Sequence, residues 1–170
     1  GVHGVVAIEP AFVAQQMEVV LTDLGADALK TGMLASPDVI VTVAESIARH
    51  APERPLVVDP VMVAKGGHRL LQEAAERTLI AQLLPLATVV TPNTLEAEVL
   101  VGFPVQNEDD MRAAGAALIA MGPRAALMKG GHLDDGSGEV VDLLVTSQGV
   151  QRFTHRRVAT KHTHGTGCTL

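Results

Sequence analysis

Short apolar runs alternate along this chain with stretches of helical period, and that alternation constrains the fold more than any other feature. Residues 11–24 set Phe12, Met17, Val20, Leu21 and Leu24 at helical spacing, and Gly25 ends the run. Ala28-Leu29-Lys30-Thr31-Gly32 reads as a short buried strand entering a loop. Ser36 is placed as an N-cap with Pro37 at the first helical position, opening a helix to about Arg49. Pro55 to Asp59 is a second strand, apolar as expected when both sheet faces are covered. A helix over 73–84, a strand over 88–91, helices from Thr94 to Val101 and Glu108 to Met121, and a strand from Arg124 to Lys129 follow. Strands joined by helices of about 10–15 residues imply parallel crossovers. The expected fold is therefore α/β, a doubly wound, mostly parallel sheet flanked by helices. Residues 139–146 and 150–158 break the alternation and predict a late β-hairpin around Ser147-Gln148-Gly149.

Composition narrows the possible partners. No apolar run approaches the ~18 residues needed to cross a bilayer, and the N-terminus lacks the basic-then-apolar pattern of a signal peptide. A net charge of −6 speaks against general nucleic-acid binding, which needs a surplus of Lys and Arg. An anionic ligand must then be held locally, by backbone amides, a metal and a few cations. The lone Cys168 cannot form an internal disulfide, which fits a reducing cytoplasm. Phe12, Phe103 and Phe153 are the only aromatics, so a heterocyclic ligand would be gripped mainly by aliphatic and Met side chains. Gly1 is not Met, and Leu170 falls where a helix should be starting. The reading is one domain over residues 1–170, truncated at both termini.

Ligands of open α/β sheets bind beyond the carboxyl ends of the strands, and the polar residues of this chain gather at such ends. Asp59 closes one strand, Asn93 and Glu96 follow another, and Lys129-Gly130-Gly131 closes a third. Gly165-Thr166-Gly167 precedes an expected helix start, where free amides and the helix dipole form an anion site suited to a transferring phosphoryl group. Cys168 stands where a helix N-terminus lowers a thiol pKa, within reach of a substrate hydroxyl. Asp59 and Glu96 are candidate Mg²⁺-linked carboxylates, and Lys129 a cation for phosphate. Each also has a plain structural reading: a glycine turn, a small buried thiol, a strand-end cap, a first-turn charge, a solvated strand end. His162 and His164 lack partners at zinc-type spacing. There is no P-loop motif and no nucleophile elbow.

Ala28-Leu-Lys-Thr-Gly-Met-Leu34, Val57-Val-Asp-Pro-Val-Met-Val-Ala-Lys65, Thr91-Pro-Asn-Thr-Leu-Glu96, Lys129-Gly-Gly-His132 and Thr160-Lys-His-Thr-His-Gly-Thr-Gly-Cys-Thr-Leu170 together resemble the hydroxymethylpyrimidine kinase/phosphomethylpyrimidine kinase family. This is the thiamine-biosynthesis branch of the ribokinase-like superfamily, and the resemblance covers essentially the whole chain. It implies that Gly165, Thr166 and Gly167 supply an anion hole and that Cys168 takes the catalytic-base position, an Asp in most of the superfamily. It further implies that Asp59 and Glu96, with Asn93, organise Mg²⁺ and phosphate. Lys129 would lie near the ATP phosphates, and Met33 and Val61 would line the pyrimidine pocket. The implied reaction is ATP-dependent phosphorylation of 4-amino-5-hydroxymethyl-2-methylpyrimidine, then of its monophosphate. A homodimer is implied by the relatives alone. A family Gly-rich loop and a pyrimidine-binding Gln have no counterpart in these 170 residues, so the segment alone is expected to be inactive or unstable. A pyridoxine/pyridoxal kinase and a non-catalytic pyrimidine-binding domain are the competing readings.

Overall fold

Residues 6–62, 71–133 and 136–159 are described by the computed structural model of the chain. Helix α1, Pro10–Asp23, precedes strand β1, Leu29–Thr31, and helix α2, Pro37–His50, leads to strand β2, Leu56–Val58. Ser36 caps α2 as predicted, its hydroxyl accepting from the Val39 amide, with Pro37 at the first turn. α1 forms where the periodicity set it, but Phe12, Val20 and Leu24 face outward. It lies against α2 and turns Met17, of the predicted stripe, together with Val13 toward the core.

The third helix departs from its predicted form. α3 is regular only over Glu73–Thr78; the chain then widens into a π turn at Leu79–Leu83 and tightens into a 3₁₀ turn at Leu84–Leu86. Pro85 is the reason: it has no N–H to donate, and its ring collides with the carbonyl four residues back. The irregular turns still bury Leu79, Leu83 and Leu84. Strand β3, Val89–Val90, follows, then α4, Thr94–Val101, α5, Glu108–Ala120, and β4, Ala125–Lys129. The predicted hairpin is β5, Glu139–Thr146, and β6, Gly149–Arg156.

The six described strands lie in the order β1-β2-β3-β4-β5-β6, parallel through β4 and antiparallel beyond it. The result is a mixed sheet flanked by helices. Register sorts the side chains into two faces. Thr31, Val58, Val90, Ala126 and Val145 are successive partners across five strands. Val58, Val90, Ala126 and Val145 join Ile40, Ala97, Met111 and Leu118 of the helices in one buried core. Each fully buried Ile, Leu or Val there contributes about 1.5–3 kcal/mol. The alternate row runs Lys30, Val57, Val89, Ala125. Val57 and Val89 are only half-buried among the described residues, although the apolar run at 55–58 predicted cover on both sides.

Candidate active site

The alternate row is the one that carries the chemistry. Strand side chains repeat every two residues, so Asp59 lies beyond Val57, Thr91 beyond Val89, and Lys129 beyond Ala125 and Leu127, on the face shared with Lys30. Backbone pairing continues past the strands and holds these residues level. The Asp59 amide donates to Thr31 at 3.1 Å, the Thr91 amide to Val58 at 2.9 Å, and the Lys129 amide to Pro92 at 2.9 Å.

Asp59 is the centre of the cluster, with only 3% of its side chain exposed. The Lys129 ammonium donates to its Oδ1 at 3.2 Å, and the Thr91 hydroxyl donates to the same oxygen at 3.4 Å. Lys30 approaches from the other side, its Nζ 3.8 Å from Oδ2. A buried carboxylate is tolerated only when paired and hydrogen-bonded, and here two cations meet that condition.

Asn93 and Glu96 close a capping box at the start of α4. The Glu96 amide donates to the Asn93 side-chain oxygen at 2.9 Å, and the Asn93 amide donates to Glu96 Oε2 at 2.8 Å. The Glu96 carboxyl is pushed up to about 7, chiefly by burial and further by the Asp59 charge; the Asn93 amide, the Lys129 cation and the Met62 amide act against the rise. Glu96 therefore sits close to half-protonated at neutral pH.

The loop after Lys129 is fixed by backbone contacts. The Gly130 amide donates to Asp142 Oδ1 at 2.9 Å. A Cβ on Gly130 would fall 2.0 Å from the Val141 carbonyl oxygen, so only glycine fits this approach. The Arg157 guanidinium donates to the carbonyls of Gly131 and Leu133, holding the loop from below.

Among the predicted site residues, the structure thus brings together Asp59, Asn93, Glu96 and Lys129. Met33 is partly exposed in the loop after β1, and Val61 follows Asp59, its amide donating to the Asp59 carbonyl at 2.9 Å. Gly165, Thr166, Gly167 and Cys168 lie outside the described residues. Sequence reasoning missed Lys30, Thr91 and Asp142 as parts of the cluster. A charged residue inside the short Leu29–Thr31 strand was the available signal for Lys30. Thr91 opens one of the motifs that carry the resemblance but had no role assigned, and nothing local marked Asp142; both roles come from neighbouring strands.

Asp59 and Glu96 also bear on a divalent cation. Both are hard oxygen donors, and the charge of Asp59 raises the Glu96 carboxyl, a repulsion that a bound cation relieves. No group of three or more His, Cys, Asp or Glu able to hold a metal occurs among the described residues. The pair suits Mg²⁺, which takes one or two carboxylates and completes its shell with water and phosphate oxygens.

The sequence profile of the phosphomethylpyrimidine kinase family matches residues 1–170. The chain is 49% identical to the hydroxymethylpyrimidine/phosphomethylpyrimidine kinase of Salmonella typhimurium, over 100% of its own length and 63% of that protein. It spans under two thirds of the curated relatives it matches. Among solved structures, it resembles phosphomethylpyrimidine kinase from Clostridium difficile 630, with a TM-score of 0.81 and 40% identity, covering 90% of this chain and 64% of that one. It also resembles an ADP complex of Bacillus subtilis pyridoxal kinase, with a TM-score of 0.87 and 32% identity over 98% of this chain and 60% of that one.

Proposed function

The chain belongs to the phosphomethylpyrimidine kinase family, and we propose that it is the larger part of a ribokinase-like, ATP-dependent enzyme of thiamine biosynthesis. The enzyme phosphorylates the hydroxymethyl group of 4-amino-5-hydroxymethyl-2-methylpyrimidine, then converts the monophosphate to the diphosphate. The observation that carries this reading is the Asp59–Lys129 pair beside the Asn93–Glu96 capping box, at neighbouring strand ends of a chain with this family profile.

Phosphoryl transfer demands positioning and charge neutralisation more than covalent help. In the first step the substrate alcohol attacks the γ-phosphorus, the bond from that phosphorus to the ADP oxygen breaks, and the alcohol proton leaves. On the family resemblance, Cys168 would accept or direct that proton, and Gly165, Thr166 and Gly167 would supply the anion hole for the equatorial oxygens. Lys129 neutralises donor phosphate charge, and Asp59 keeps its ammonium in place. Asp59 and Glu96, the latter anchored by Asn93, would hold Mg²⁺, which supplies further charge neutralisation on the phosphates. Met33 and Val61 face the pyrimidine ring. We place the enzyme in the cytoplasm, in keeping with the lone cysteine.

The similarity to pyridoxal kinases makes pyridoxal the substrate to compete against. ADP release by the purified full-length protein should show kcat/KM for the hydroxymethylpyrimidine at least about tenfold above that for pyridoxal. A preference for pyridoxal overturns the assignment. Pyrimidine binding without ADP release identifies a binding domain instead.

A further inference from the structure

We propose that Lys30 holds the phosphate of the already phosphorylated substrate, and that it thereby governs the second phosphorylation apart from the first. This rests on the two-substrate reading above.

The sheet divides the site. Met33 and Val61, the candidate ring contacts, follow β1 and β2, whereas Asn93, Glu96 and Lys129 belong to β3, α4 and β4 on the donor side. Asp59 stands between the halves, with one lysine reaching it from each. The two lysines are not equivalent. Lys129 lies 3.2 Å from Asp59 with a side chain 16% exposed; Lys30 lies 3.8 Å away and is 35% exposed. Lys129 also runs its backbone into Pro92 beside the capping box, so its position is tied to the donor half. Lys30 is the more accessible of the two cations, three residues from Met33, on the sheet face that carries Asp59.

The two substrates differ in the property a lysine reads. The hydroxymethyl compound brings no phosphate; its monophosphate brings a charge of about −1.5 to −2 near neutral pH. That group must sit between the ring and the donor, which is where Asp59 gathers its two ammonium groups. A lysine on a flexible stem, with three donors and a compact charge, can turn from a 3.8 Å carboxylate contact to a phosphate oxygen. Lys129 is engaged with the donor phosphates, which leaves the acceptor phosphate to Lys30.

The test uses the full-length protein with Lys30→Met, Lys30→Gln and Lys30→Arg. Initial rates are measured separately on the alcohol and on the monophosphate, and calorimetry without ATP reads the binding of each. Lys30→Met and Lys30→Gln should weaken monophosphate binding, and lower kcat/KM for the second step, by about tenfold to a hundredfold. The alcohol values should fall less, so that the ratio of kcat/KM for the monophosphate to that for the alcohol drops by about tenfold or more, and Lys30→Arg should restore most of the lost binding. Lys30→Gln keeps a donor toward Asp59, so the comparison survives if Lys30→Met fails to fold. Equal losses on both substrates, or no loss on either, overturn the proposal while leaving the kinase assignment standing. An unmodified protein that binds neither pyrimidine overturns both.

Discussion

Lys129 and Asp59 are 70 residues apart in sequence and meet at 3.2 Å, joining the ends of β4 and β2 across the intervening β3. The contact places a cation and a buried carboxylate where parallel strands open toward a ligand. It also makes each residue depend on the other.

Lys129→Ala removes the nearer of the two cations that face a carboxylate only 3% exposed. Breaking a fully buried pair costs about 3–5 kcal/mol. Because Lys30 stays and Lys129 is partly solvated, the expected loss is about 1–3 kcal/mol. Urea unfolding measures it, and an unchanged midpoint would show that Asp59 does not need this partner.

Glu96 gives stability a pH dependence of defined sign. Its carboxyl rises from 4.5 to about 7 on folding, so the folded state binds the proton more tightly than the unfolded one. The resulting stabilisation is complete below pH about 4.5 and is lost as pH rises through about 7. Integrated over that window it amounts to about 3 kcal/mol. Glu96→Gln, which stays neutral and retains an oxygen for the Asn93 amide, should flatten the unfolding profile measured without metal or nucleotide. A profile equally steep in both proteins would assign the dependence elsewhere.

Gly130→Ala should damage the loop beyond Lys129. The added Cβ would meet the Val141 carbonyl oxygen at 2.0 Å, against backbone that cannot swing aside. We expect a loss of about 2 kcal/mol or more and a raised KM for ATP. Gly131→Ala, where a Cβ meets nothing within 4 Å, is the matched control.

Asn93→Ala breaks the capping box at the head of α4 and should cost about 1–2 kcal/mol. The Asn93 backbone amide still donates to Glu96 Oε2, so the loss is confined to the side-chain half of the box. If Asn93→Asp, which preserves the acceptor, recovers stability but not turnover, the position serves phosphate as well as the helix.

Cys168→Ala should lower kcat by about 10²–10⁴-fold with little change in KM for ATP, if the thiol has the base role that the family resemblance implies. Gly167→Ala should impair transfer as well. Near-normal turnover by the alanine variant at 168 would leave the anion hole to carry catalysis without a base.

The order of elements was legible because apolar period, caps and glycine stops are local properties. Ser36-Pro37 and Asn93-Thr94-Leu95-Glu96 announce their helix starts from side chains a few residues apart. Asp59, Glu96 and Lys129 were recognisable as strand-end polar residues for the same reason. The break of α3 at Leu79 shows the limit: the helical period runs through it, while the Pro85 clash that ends regular pairing acts backward over a turn.

Sequence alone determined the parallel α/β plan, the late hairpin and the family, since periodicity and contiguous motifs carry them. Tertiary structure alone decided that Lys30 and Thr91 join Lys129 on Asp59, and that Asp142 holds Gly130. Those relationships depend on strand register. A shift of one residue would turn Asp59 and Lys129 to the opposite sheet face, and register is set by packing of the whole sheet against its helices, not by any one strand's residues.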